Sequence, residues 1–203
     1  MPLLFLERKT IHLLTLLFNQ YKRTRIATNK KQNIFNAVYA NALSAIRTGN
    51  YSEAINMFNS TRAEYPGISG AVSVSEYIAY CEIKAINFND GNKHNLASIY
   101  EKVCSITSNT LKNELMNLAQ MKTVMTLEGR WKGKYFSYTF SRGKWSYGLE
   151  NSWSLVYYNG HYCTSFSNEN RYDEIYNISE NQFSFRVYIN NGYMNQDTCM
   201  RVP

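Results

Sequence analysis

"RWKGKYFSYTFSRGKW", residues 130–145, sets the architecture of the C-terminal third of this chain. Arg130, Lys132, Lys134, Arg142 and Lys144 are interleaved with Trp131, Tyr135, Phe136, Tyr138, Phe140 and Trp145, the residue mix of a surface for bases and phosphates. Side chains alternate across a strand. From 130 to 135 the cations fall on even positions, and Trp131 and Tyr135 on odd ones. From 136 to 140 the even positions become Phe136, Tyr138 and Phe140. A single-stranded nucleic acid needs aromatics and cations on one exposed face. The exchange of faces around Gly133–Phe136 predicts instead a bulge or bend where one strand turns a corner. Trp131 and the later aromatics then face one interior, the lysines face solvent, and the stretch opens a β domain.

Downstream, the two-residue rhythm continues. "YYNGHY" and "INNGYM" carry Asn-Gly at 159–160 and 191–192, a pair that readily takes the positive φ angles of a tight hairpin turn. The flanking runs read as strands at 151–158, 161–167, 182–189 and 193–202, with another at "DEIYNIS". The opening hairpin brings the number to about seven, enough for a small antiparallel barrel or sandwich over 129–203. "GRWKGKY", 129–135, is similar to the first strand of a lipocalin-type barrel. That likeness implies a pocket or face for a lipid, a glycan or another small ligand, with Trp131, Tyr135, Trp145 and Trp153 as its contacts. Tryptophan at such positions is otherwise a core residue.

Upstream, from Asn33 to about Glu128, apolar residues recur at three and four positions, the helical period. Gly49-Asn50 supplies a turn. Ser52 is the expected cap of a second helix, with Glu53 in its first turn and Pro66-Gly67 at its end. "NAVYANALSAIRTGNYSEAINMFNSTRAEYPG" resembles a tetratricopeptide repeat, best over 35–68, in the small Ala42 and Ala54, the Gly49/Tyr51 turn, Phe58 and the closing Pro66. Val38 and Thr61 depart from that family's pattern. The resemblance implies a concave groove for a protein partner, with Asn36, Tyr39, Leu43, Ile46 and Arg47 on its floor. Leu43 and Ile46 equally suit burial against the N-terminal helix. A second, degenerate pair follows at "SVSEYIAYCEIKAINF" and "NLASIYEKVCSI". "TLKNELMNLAQMKTVMTLEG" reads as one further helix leading into the β domain.

The formal net charge of +7 is local. Residues 1–32 carry seven Lys/Arg against one Glu, a net +6, whereas 33–128 come to −1 and 129–203 to +2. Neither later segment has the basic face that nucleic-acid binding demands. In "MPLLFLERKTIHLLTLLFNQ" the charges at 7–9 leave too short an apolar run for a membrane span, which needs about 20 residues. Three readings of residues 1–32 stand: a helix packed over the end of the helical domain, peripheral contact with an anionic membrane, or a targeting segment.

Four cysteines lie two in each half. Cys163–Cys199 and Cys81–Cys104 are the expected disulfides, implying an oxidising compartment; buried free thiols are the alternative. No Cys-x-x-Cys, phosphate loop, nucleophile elbow or metal-ligand spacing of His12, His94 and His161 is present. Adjacent Asp173 and Glu174 would point to opposite faces of a strand. No catalytic residue, cofactor or metal site is therefore expected.

These observations describe an α+β protein. A short apolar and basic segment (1–32) precedes TPR-like antiparallel helical hairpins (33–128) and a small antiparallel β barrel or sandwich (129–203). The function expected first is a non-catalytic scaffold or adaptor, bacterial in character, holding a protein or peptide partner in the helical groove. The alternatives are lipid or glycan binding by the β domain, and a hydrolase with dispersed residues. The disulfides favour the cell envelope or periplasm over the cytoplasm.

Overall fold

A computed structural model describes residues 3–68, 70, 72–134, 137–147, 151–165, 171–189 and 192–203. The chain divides into two compact units, 1–81 and 82–203. Helices after Glu82 are thus grouped with the strands, whereas the rhythm of the sequence places a boundary at 128/129.

In the first unit, α1 (Leu3–Arg47) runs unbroken for 45 residues. Helix α2 (Tyr51–Glu64) folds back on it. The turn is a paired C-terminal cap: the Asn50 N–H donates to Ala45 O at 2.8 Å and the Gly49 N–H to Ile46 O at 3.0 Å. It requires φ +79° at residue 49, which glycine adopts without strain. The N-cap of α2 is Asn50, and Ser52 lies inside the helix, so the expected serine cap is replaced by the residue that also ends the turn. Phe35, Ala42 and Ala45 of α1 and Ala54, Phe58 and Thr61 of α2 are buried. The expectation that residues 1–32 pack as a cover fails where side chains are described, because every residue from Leu16 to Lys31 is exposed. Helix α3 (Val74–Lys84) follows.

The second unit opens with a two-residue strand, β1 (His94–Asn95), then α4 (Leu96–Ser105), whose first turn is capped by Asn95 Oδ1 accepting from the Ser98 N–H at 3.0 Å. The single helix expected before the strands is two, α5 (Asn109–Met116) and α6 (Ala119–Leu127). Asn117, a weak helix former, ends the first, and Leu118 in extended backbone starts the second. This break lets Leu111 and Leu115, then Met121, Val124 and Leu127, all be buried from separate helix axes.

Eight strands follow: β2 (Gly129–Lys132), β3 (Ser137–Ser141), β4 (Lys144–Tyr147), β5 (Asn151–Tyr158), β6 (His161–Ser165), β7 (Arg171–Tyr176), β8 (Gln182–Ile189) and β9 (Gly192–Arg201). Each pairs antiparallel with the next, and β9 returns to β2, closing an up-and-down barrel; β1 adds alongside β5. The count is eight because the exchange of faces near Gly133 is not a bend within one strand. It is a reversal, with Trp131 of β2 opposite Tyr138 of β3. Arg142 (φ 51°) with Gly143 (φ 73°) and Asn159 (φ 47°) with Gly160 (φ 84°) make the primed turns that match strand twist. At 143 glycine is also needed for space, since a Cβ there would lie 2.9 Å from Ala97 Cα of α4. The turn expected at Asn191-Gly192 does not sit there: Gly192 opens β9 and pairs with Ile189, and residues 190–191 lie outside the described residues.

Cross-strand register fixes the two faces. Phe140 faces Trp145, Trp145 faces Trp153, Leu155 faces Thr164, Thr164 faces Asp173, and Phe183 faces Cys199. This set is the lumen. At one end Trp131, Phe140, Trp145 and Phe183 are fully buried and meet edge to face or tilted, the rings of Trp131 and Phe183 being 5.0 Å apart. Thr164 and Asp173 are buried polar residues of the same lumen.

The disulfides expected from the sequence are not formed. All four cysteines are free, Cys104 exposed and the other three buried. For Cys163 and Cys199 the pleat explains it. Cys199 faces the lumen opposite Phe183, whereas Cys163 is one residue out of phase with Thr164 and lies on the outer face, on a strand not adjacent to β9. Without those bridges, nothing in the cysteines points to an oxidising compartment.

Candidate functional site

The outer face of the barrel carries one dense polar constellation. Val156, Cys163, Glu174 and Arg186 form a row across β5, β6, β7 and β8. Glu174 is the centre of it. His161, two residues before Cys163 on the same face, places Nδ1 2.8 Å from Glu174 Oε1. The Tyr188 hydroxyl donates to Oε2 at 3.4 Å, and Arg186 Nη1 lies 3.9 Å from the same oxygen. The first contact is a short charge-assisted bond; the other two are long and orient more than they bind. Arg186 in turn lies over the Tyr176 ring, 4.4 Å from its centroid. The Glu174 side chain is only 15% exposed, whereas His161 is 60% exposed. The carboxylate is therefore held in a fixed direction with the imidazole outermost.

This cluster rims an open groove of about 410 Å³, within the roughly 300–1,000 Å³ of small-molecule sites. Helix α6 supplies the opposite wall. Lys122, Thr123 and Thr126 share one arc of that helix, away from buried Met121, Val124 and Leu127. The β wall brings Gly160, His161, Tyr162, Glu174 and Tyr176. The turn at Asn159-Gly160 and the left-handed Asn177 (φ 51°) bracket the two strand ends that face the helix. Thr123 Oγ1 and the Tyr162 hydroxyl are 2.9 Å apart and tie the two walls together. Burial raises the Tyr162 phenol above its ordinary value, so it stays a neutral hydroxyl. A second shallow groove lies beside it, lined by Lys122, Met125, Thr126, Glu180, Asn181 and Arg201.

Chemically, the groove offers a carboxylate acceptor, an imidazole, an ammonium, hydroxyls and aromatic surface. Cys163, opposite Glu174 on the outer face but not among the groove-lining residues, has its thiol pushed up to about 12 by burial, which leaves it protonated at neutral pH. Among the described residues no three His, Cys, Asp or Glu side chains form a group that could hold a metal ion.

The residues singled out from the sequence are elsewhere. Trp131 and Trp145 are in the core, Trp153 is half-buried on a lumen strand, and Tyr135 lies outside the described residues. Trp131 Nε1 donates to Leu127 O at 2.8 Å. Trp145 Nε1 is buried with no hydrogen-bond partner among the described residues. In the first unit Asn36 and Arg47 are exposed, and Leu43 and Ile46 half-buried. Tyr39 turns into the helical packing: it stacks on Phe35 at 5.5 Å, meets Phe58 and Tyr77 edge-on, and donates its hydroxyl to Val72 O at 2.9 Å. Sequence reasoning did place Asp173 and Glu174 on opposite faces. It missed that His161 reaches Glu174, because only the β6–β7 register brings them together.

Comparison with known families, curated proteins and solved structures returns no match.

Proposed function

We propose that the barrel unit is a non-catalytic binding module whose α6–β6–β7 groove takes a neutral, hydroxyl-rich ligand of the saccharide class. The observation that carries this reading is the Glu174 carboxylate, fixed by His161 at 2.8 Å and opened onto a groove with Thr126, Lys122 and Tyr176. The Glu174 carboxylate is oriented by the His161 imidazole and the Tyr188 hydroxyl and keeps free lone pairs. Its remaining acceptor capacity suits sugar hydroxyls, and tyrosine faces suit the apolar faces of pyranose rings. Lys122 and the threonines supply the complementary donors. Hydrolysis of a glycosidic bond is the weaker reading, since that chemistry takes a pair of carboxyl groups and Glu174 is the one carboxylate among the groove-lining residues.

The test is thermal denaturation of the full chain with maltotriose, cellotriose, chitotriose and, as contrast, short phosphatidylcholine micelles. At least one oligosaccharide should raise the melting temperature, and Glu174→Gln and Thr126→Val should each remove that gain. No gain with any sugar, or a gain with the micelles that survives Glu174→Gln, would refute the assignment.

A further inference from the structure

Independently of the groove, the first two-thirds of α1 have no packing role where their side chains are described. Leu16, Leu17, Phe18, Tyr21 and Ile26 are 53–68% exposed, and all residues from Leu16 to Lys31 are exposed. Stranding such side chains in water on a long helix is costly. The same segment holds Lys22, Arg23, Arg25, Lys30 and Lys31 within ten residues. No Asp or Glu occurs between Glu7 and Glu53. Lys22 already lies over the Phe18 ring, 4.7 Å from its centroid.

We propose that this segment of α1 inserts into one leaflet of an anionic lipid bilayer, its apolar residues entering the acyl boundary and its cations lying among the headgroups. Three observations select this occupant. First, successive helical positions are 100° apart, so Leu16, Leu17 and Phe18 point to three different sides. A partner helix or groove would engage one stripe, whereas lipid surrounds an inserted helix. Second, the cations follow the apolar residues directly and are unopposed by acids, the arrangement that attracts anionic headgroups. A nucleic acid would meet the cations and leave the leucines in water. Third, no helix among the described residues is long and apolar enough to cross a membrane. Twelve residues from Thr10 to Tyr21 rise only about 18 Å at ~1.5 Å each, against a hydrocarbon core of about 30 Å. The contact is therefore on one leaflet.

The test is co-sedimentation of the full chain with large unilamellar vesicles at 0.1 M salt. The vesicles contain either phosphatidylcholine alone or phosphatidylcholine with 30% phosphatidylserine. Binding should require the phosphatidylserine and weaken as salt rises. Replacing Lys22, Arg23, Arg25, Lys30 and Lys31 together by Gln should lower the partition coefficient more than about a hundredfold. Leu16→Ser with Leu17→Ser and Phe18→Ser should also release the protein. These residues are exposed, so both variants should keep the wild-type melting temperature. Equal binding to both vesicle types would overturn the proposal, as would binding that survives the glutamine variant. So would absence of binding together with a dimer, seen by sedimentation equilibrium, that the serine variant returns to monomer.

Discussion

The guanidinium of Arg201, near the end of the last barrel strand, lies 4.3 Å from the ring centroid of Trp131 on the first. Its Nη1 and Nη2 donate to Glu128 O and Thr126 O, both at 2.6 Å, and its Nε donates to Glu180 O. One side chain thus covers the closing seam of the barrel, stacks on its largest core ring and satisfies carbonyls at the C-terminal end of α6, where a cation is favoured. Gly129 permits the approach: at φ +121° it carries no Cβ, which would sit 2.7 Å from Arg201 Nη1.

Arg201→Ala should therefore destabilise the protein by about 2–3 kcal/mol, the cost of hydrogen bonds to a charged group together with lost stacking. Arg201→Lys should recover only part, because an ammonium cannot span two carbonyls and lie flat on an indole. Chemical denaturation measures both. A change within about 0.5 kcal/mol for Arg201→Ala would mean the seam is held by the backbone alone.

The two core tryptophans separate the value of ring from that of indole N–H. Trp131→Phe leaves Leu127 O without its donor and should cost about 2–3 kcal/mol. Trp145→Phe removes an N–H that has no partner among the described residues, so the lost volume is offset and the cost should stay near or below about 1 kcal/mol. Equal costs would show that the Trp131 bond contributes nothing beyond packing.

Thiol titration tests the cysteine assignment. With no disulfide, a native chain should show one fast-reacting thiol, Cys104, and four after denaturation. Burial pushes Cys163 and Cys199 up to about 12 from an ordinary 9.0. The sign follows: below about pH 9 both states keep the thiols protonated and stability is unaffected. As pH rises past it the unfolded chain ionises first and stability falls. Two free thiols after denaturation of unreduced protein would restore a bridge.

The fold was legible in the sequence wherever local chemistry dictates local shape. Gly49 and the Asn159-Gly160 turn are read directly, because few residues accept their φ angles. The alternation through Trp131, Tyr138 and Phe140 told core from solvent, yet a bend and a reversal invert that alternation alike, so β2 and β3 were not separable. The break at Asn117-Leu118 was hidden because the apolar spacing stays helical on both sides of it. The groove was not legible at all. His161 and Glu174 are thirteen residues apart, joined only by a register set by the whole barrel. Trp131 and Trp145 were expected as ligand contacts, but their size is used to fill the lumen.

Loop chemistry before β1 gives a pH prediction. Asp90 accepts from the Asn92 N–H at 2.8 Å and pairs with His94 Nε2 at 2.9 Å. Hydrogen bonds from the Asn92 side chain and backbone, then His94, hold its carboxyl down at about 2, below the ordinary 3.8. A depressed folded value means the loop's contribution is present above about pH 4 and lost as pH falls through about 2. The Asp90 carboxyl carbon signal in NMR should titrate near 2, and Asn92→Ala should move that midpoint toward 3.8. A wild-type midpoint at 3.8 would show the loop is open in solution.

Ligand binding in the groove between α6 and the β6–β7 strand ends, with Glu174 as its fixed acceptor, is open to a residue-level test. The most direct measurement is an amide NMR titration of the full chain with the oligosaccharide that gives the largest thermal shift. Saturable shifts should concentrate at Thr123, Thr126, Gly160, His161 and Glu174, and Glu174→Gln should abolish saturation while leaving the rest of the spectrum in place. Saturable shifts confined to the α1–α2 unit, or unchanged by Glu174→Gln, would contradict it.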